Sequence, residues 1–369
     1  MEMILKNEER AVFALRKLYQ QYGYLPYKMS RFEEYDLYVR NKDFLVSDQV
    51  ITFADRNGKL LALKPDVTLS IIKNSPDNKG VVQKLYYNEN VYREDPASHT
   101  IKEIMQTGLE CVGDLGSYEI AEVALLAARS LELLGRPFVL DISHMGLVAA
   151  VLDACGFSGE DRKTAIRCLR QKNPHELMRL SAALPEASRD KLRLLVSIGG
   201  EASRELKALN TVLTTREEKN AFNELERLCG ILERNGYGDA IRVDFSVGND
   251  MKYYSGVVFK GYLEGIPSSV LSGGQYDKLL RKMGRSSKVI GFALYLSLLE
   301  RLGDNGGLYD VDTVILHGDD ADPVKLIAMA EKAAKEGTVL VTTCLPQGRT
   351  WNKIINYRNE EADDLGENG

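Results

Sequence analysis

The chain has no apolar run long enough to span a bilayer, which excludes a helical membrane protein. Its N-terminus, MEMILKNEER, turns charged at once and carries no signal-peptide core. Five cysteines (Cys111, Cys155, Cys168, Cys229 and Cys344) are scattered, odd in number and without a CxxC pair. That pattern suggests neither a disulfide framework nor a zinc site. Together these absences predict a reducing, cytoplasmic compartment, with no metal and no cofactor. There is no excess of positive charge either: the formal net charge is -5. Phosphate neutralisation supplies much of the affinity for nucleic acid, so this balance argues against tRNA as a partner. No internal repeat is found, and low complexity is confined to the acidic end.

What is present is ordinary globular material. A length of 369 residues, 44% of them hydrophobic and 27% charged, suffices for about two or three domains. Apolar positions at Val12, Phe13, Leu15, Leu18 and Tyr19 predict an amphipathic helix over 8–22, closed by Gly23. Two apolar runs flank Arg56-Asn57-Gly58, a hairpin signal because Asn and Gly tolerate positive φ. Pro65 and Asp66 then mark a helix start. Residues 81–93 and 104–113 alternate as two antiparallel strands, joined by a polar loop from Glu94 to Glu103. A helix follows over 117–134, then the strand FVLDIS and the helix HMGLVAAVLDACG. From 158 to 236 the pattern is helical and charged, as in an inserted subdomain. Residues 241–263 return to strand character and 288–302 read as a helix. The expected division is 1–303 for the core, 308–350 for a small strand–helix–strand unit and 351–369 for a polar acidic tail, its last ten residues disordered.

Certain polar residues stand out against that background. Asp66 suits an ammonium ligand, since a charged hydrogen bond is strong, but it equally suits the cap of the following helix. Gln106 and Glu110 are an even number of residues apart and share one strand face. That face is either a solvated one or one that meets a ligand. Tyr253, Tyr254 and Tyr276 each offer an aromatic wall with one polar tip, or simple core packing.

The segments that hold these residues resemble the histidyl-tRNA synthetase core. ITFADRNGKLLALKPDVT is similar to its hairpin and its Pro-Glu-Gly-Thr turn, here Pro65-Asp66-Val67-Thr68. VYREDPASHTIKEIMQTGLE is similar to class II motif 2, and Tyr253-Tyr254, SGGQYD and VIGFALYLSLLERL are similar to the second half of the core, with Gly291 to Ala293 as a helix start. The resemblance implies an α+β fold: a class II synthetase-like antiparallel sheet flanked by helices, with a helical insertion and a small C-terminal α/β unit. It implies a histidine-binding set of Asp66, Thr68, Arg93, Gln106, Glu110, Tyr253, Tyr254 and Tyr276. Gln106 and Glu110 would satisfy the two imidazole nitrogens.

The departures from the family are selective. Its basic side chains for ATP phosphates correspond here to Asn249, Gln275 and Leu298, with Arg301 one helical turn displaced. The motif 2 loop is one residue short and carries Ala97, Ser98, His99, Thr100 and Lys102 instead of further arginines. Tyr295 replaces a glycine where the adenine would lie. Removing one stabiliser of a developing oxyanion costs about 3 kcal/mol of barrier. Pro-Asp-x-Thr and LDISHMG (Leu140 to Gly146) match the inactive branch of this family, the regulatory subunits of ATP phosphoribosyltransferase. That branch implies a subunit without chemistry of its own, dimeric within a hetero-oligomer with the short catalytic subunit. It serves the first step of histidine biosynthesis and carries feedback inhibition by L-histidine. The alternative expectation is an active histidine–tRNA ligase with a rearranged ATP site.

Overall fold

The computed structural model describes residues 7–41, 50–77, 80–94, 98–247, 254–302, 309–358 and 361–364. It forms two units, Ala11–Leu302 and Met1–Arg10 together with Gly303–Gly369. The larger unit carries α1 (Asn7–Gln21) from Ala11 onward, and Gly23 at φ 79° ends its last turn. Next come β1 (Leu25–Pro26), β2 (Phe32–Glu34), α2 (Tyr35–Arg40), β3 (Thr52–Ala54), β4 (Leu60–Leu63) and α3 (Thr68–Asn74). The β3–β4 hairpin forms as the sequence predicts, but Asp55 builds its turn. Its Oδ1 accepts from the amides of Asn57 and Lys59, both at 2.8 Å, and only Gly58 takes positive φ, 78°.

β5 (Val82–Glu94) and β6 (Ile101–Gly113) form the long hairpin at the heart of the unit. α4 (Ser117–Glu132), β7 (Phe138–His144) and α5 (Met145–Ala154) follow. The helical stretch then contains α6 (Gly159–Arg170), α7 (Pro174–Leu180), α8 (Glu186–Ser197), the short β8 (Gly200–Glu201), α9 (Ala202–Asn210) and α10 (Arg216–Leu232). β9 (Ile241–Val243), β10 (Val257–Leu263), β11 (Leu271–Gln275), α11 (Asp277–Lys282) and β12 (Lys288–Tyr295) complete the main sheet, in the order β1-β5-β6-β12-β11-β10-β7-β9-β8. The six strands from β5 to β7 pair antiparallel.

One face of this sheet packs against α1, α4, α5 and the helical stretch in one continuous core that includes Leu109, Cys111, Ile142, Ile290 and Phe292. The opposite face packs against α3, α11 and the small β2-β4-β3 sheet, through Val67, Ile71, Tyr87, Val112 and Leu280. Alternation along β6 decides which side each residue serves.

Two expectations are corrected here. Residues 288–295 are a central strand, with 3₁₀ turns only from Leu296 to Leu302. Gly291 to Ala293 therefore lie mid-strand and do not start a helix. A strand buried on both faces reads as a continuous apolar run, which periodicity cannot separate from a buried helix. The second correction concerns the tail. In the smaller unit, β13 (Val311–His317), α12 (Pro323–Ala333) and β14 (Val339–Thr342) are joined by β15 (Trp351–Arg358) and β16 (Glu361–Asp364). The sheet order is β14-β13-β15-β16, and β15 runs parallel to β13. Trp351, Ile354 and Tyr357 of the expected tail pack in this unit's core, because a parallel partner far away in sequence supplies their burial.

Candidate functional site

β6 is the spine of the site. Gln106, Gly108 and Glu110 lie on its α3 face. In register, Gln106 sits between Glu89 and Tyr295, Gly108 between Tyr87 and Ala293, and Glu110 between Leu85 and Gly291. The small residues leave a hollow that the neighbouring Tyr87 and Glu110 side chains fill. A Cβ on Gly291 would run into the Glu110 carboxylate, and one on Gly108 would come within 2.7 Å of the Tyr87 hydroxyl.

Glu110 is 2% exposed and has two hydroxyl partners. Thr68 Oγ1 donates to Oε1 at 2.7 Å, and the Tyr276 hydroxyl donates to Oε2. Burial pushes this carboxyl well above the usual range; Thr68 opposes that only in part, and the nearby Asp66 adds to it. Asp66 lies at the start of α3, where its Oδ1 accepts from the Leu69 amide at 2.9 Å. Burial raises it as well, against the Leu69 amide and the Arg93 charge. Arg93 is itself tied by Nε to the Pro65 carbonyl at 2.9 Å. Gln106 is buried, and its Nε2 has no hydrogen-bond partner among the described residues. Tyr254 joins the cluster through Ser272, with Tyr295, Glu110 and Asp66 close enough to raise its hydroxyl after burial has done most of that.

The fold thus brings together Asp66, Thr68, Arg93, Gln106, Glu110, Tyr254 and Tyr276. Tyr253 lies outside the described residues, as do Asn249 and Ala97. Three contributors were not expected: Tyr87 and Tyr38, whose hydroxyls feel Glu110 and Asp66 respectively, and Ser272. Tyr87 was legible in principle, since it faces Gly108 across the β5–β6 hairpin. Tyr38 had no local signal.

Chemically, the site offers two carboxylates, a ring of phenols, one buried amide donor in need of an acceptor, and one guanidinium. Each carboxylate of that set would gain most from a charged donor. No group of three or more metal-ligating side chains occurs among the described residues.

The replaced arginines fare unevenly. Gln275 points to the other side of the sheet, where its Oε1 accepts from the Val257 amide at 2.8 Å. Leu298 packs against the α4-side core. The side chain of Arg301 lies outside the described residues. Tyr295, by contrast, stands on the site face directly beside Gln106. No helix of the described residues is long and apolar enough to cross a membrane.

Comparison with known proteins agrees with this geometry. The histidyl-tRNA synthetase family model matches residues 2–299. An ATP phosphoribosyltransferase regulatory subunit of Oceanobacillus iheyensis is 25% identical over 82% of this chain and 76% of its own. One from Caldanaerobacter subterraneus is 29% identical over 76% and 74%. Among solved structures, an ATP phosphoribosyltransferase regulatory subunit/histidyl-tRNA synthetase from Bacillus halodurans superposes with a TM-score of 0.72. It is 24% identical and covers 91% of this chain and 88% of that one. A chain of the ATP phosphoribosyl transferase HisG:HisZ complex from Thermotoga maritima gives 0.62, at 19% identity over 78% and 97%. The main sheet, its α+β architecture and the family match agree: this chain belongs to the histidyl-tRNA synthetase family.

Proposed function

We propose that this chain is the non-catalytic regulatory subunit of ATP phosphoribosyltransferase and that it senses free L-histidine in the Glu110 hollow. The observation that carries the reading is the pairing of an intact acid, amide and tyrosine cluster with Tyr295 standing beside it. The cluster is suited to histidine: Asp66 meets the α-ammonium, while Gln106 and Glu110 face the imidazole. The bulk of Tyr295 occupies the side on which a nucleotide would have to lie. Relatives named as regulatory subunits support the same role. The partner is the short catalytic subunit that joins ATP to phosphoribosyl pyrophosphate in the first step of histidine biosynthesis. The assembly is a hetero-oligomer built on a homodimer of this chain, in the cytoplasm.

Calorimetry with L-histidine, with and without the catalytic subunit, tests the ligand. Saturable binding is expected, and its absence in both settings sinks the sensor. Glu110→Ala should weaken histidine by about ten- to a hundred-fold, the loss of one charge-assisted hydrogen-bonded partner. Co-purification with the catalytic subunit should survive that change; equal loss of both would make Glu110 structural. Histidine-dependent pyrophosphate–ATP exchange separates this reading from an active histidine–tRNA ligase. No exchange is expected, and robust exchange would overturn the non-catalytic assignment.

A further inference from the structure

The segments that carry Tyr254 and Tyr276 into the acidic hollow have a second side. Ser255, Gly256 and Val257 follow the first tyrosine, and Gln275 and Asp277 flank the second. All five line a different cavity, of about 570 Å³, which opens between the start of α4, one face of α10 and the end of α11. Its apolar wall comes from Ile120, Ala121, Leu228 and Ile231. Its polar lining is Arg227, Arg281, Lys288, Glu224, Asp277 and the buried His144.

The charges in this cavity are not balanced in use. Both carboxylates are already engaged. Glu224 Oε2 lies 3.1 Å from His144 Nε2, and His144 Nδ1 accepts from the Leu147 amide, so Nε2 carries the proton that Glu224 receives. Asp277 Oδ1 accepts from the Val289 amide at 2.9 Å. The cations are less committed. Lys288 Nζ donates to the Leu115 carbonyl at 3.0 Å, and its charge also reaches Glu224. Among the described residues, no carboxylate pairs with Arg227 or Arg281. The Gly116 amide at the start of α4 is already taken by Glu119, at 2.7 Å, and adds little. A concave space with an apolar wall and a few convergent polar groups is the usual form of a small-molecule site. Two guanidiniums with no carboxylate partner among the described residues favour an oxyanion, which they can grip with paired N–H bonds.

We propose that this cavity is a second ligand site, taking a small phosphate-bearing anion on Arg227, Arg281 and Lys288, with the remainder of the ligand against the Ile120–Leu228 wall. The site stands on its own lining and does not depend on what fills the Glu110 hollow.

The test is calorimetry on the full chain at low ionic strength, with inorganic pyrophosphate as the probe and no histidine present. Saturable binding at one site per chain is expected. Arg281→Gln and Arg227→Gln should each weaken it by about ten-fold or more, the cost of one charged hydrogen-bonded contact. Arg216→Gln, on the same helix α10 but outside the cavity, should leave it unchanged. No saturable binding would overturn the proposal, and so would equal weakening by all three variants, which would mark general ionic attraction. Histidine titrated into the same two cavity variants should bind as in the parent chain. Histidine failure alongside intact pyrophosphate binding would count against the sensor and not against this site.

Discussion

Glu110 and Glu218 are the same residue type, in the same unit, and equally buried at 2% and 0% exposure, yet their carboxyls move in opposite directions. Burial alone would raise both. At Glu218 the Lys191 ammonium, at 2.7 and 2.9 Å, and the amides of Thr215 and Thr214 outweigh it and hold the carboxyl below the usual range. At Glu110 the partners are two hydroxyls, and burial wins. A buried acid with a cation and amides is a closed structural unit. A buried acid with hydroxyl partners, next to a second acid, is left without charge compensation, the environment in which functional acids are found. The difference separates the helical stretch, where the buried acid is neutralised within the fold, from the sheet face, where the proposed sensor site lies.

The sharpest test of that contrast is Lys191→Met. It strands Glu218 in the core and should cost about 3–5 kcal/mol of stability in urea denaturation, as broken buried pairs do. Glu110→Gln should cost far less, or nothing, because it removes a charge that the fold does not neutralise. A loss as large as that of Lys191→Met would erase the distinction. Tyr276→Phe comes next: it removes one of the two donors to Glu110 and should cost about 1–3 kcal/mol.

The pH dependence should also have opposite signs. Glu218 has a depressed folded value, so its contribution is present above its unfolded value, near 4.5, and is lost as pH falls through the folded one. Glu110 has a raised folded value, so the folded state binds more protons, and stability falls as pH rises from about 4.5 toward that value. Thermal unfolding of Glu110→Gln against the parent chain should therefore show a relative gain with rising pH over that window. A parallel pair of curves would mean that Glu110 is ionised at no cost. The smallest expected effect is on ligand choice. Tyr295→Gly should admit ATP to the hollow without restoring pyrophosphate exchange, measured by nucleotide titration and by the exchange assay. Restored exchange would make Tyr295 the only barrier to catalysis.

Much of the site was legible because it lies in local patterns. Gln106 and Glu110 share a face by even spacing, and Pro65-Asp66-Val67-Thr68 is a continuous turn. Of the two readings of Asp66, the structure shows the local one, since its Oδ1 accepts from the Leu69 amide in the first turn of α3. The reading of Gln275 did not carry over. Adjacent positions at a strand end face opposite ways, so the residue before Tyr276 belongs to the other cavity. Nor did the helix expected over 288–302 appear, because a central strand and a buried helix are equally apolar in sequence.

By itself, then, the sequence determined the long hairpin and the helical stretch, each of which rests on spacing within one element, while its resemblance to the synthetase core pointed to the acid, amide and tyrosine set. Only the tertiary structure decided that Glu110 has no cationic partner among the described residues, that Tyr295 stands beside Gln106, that 351–358 is a strand and that Gln275 turns away. Those outcomes depend on which distant strands pair and in what register, since a shift of one residue exchanges the two faces of a sheet.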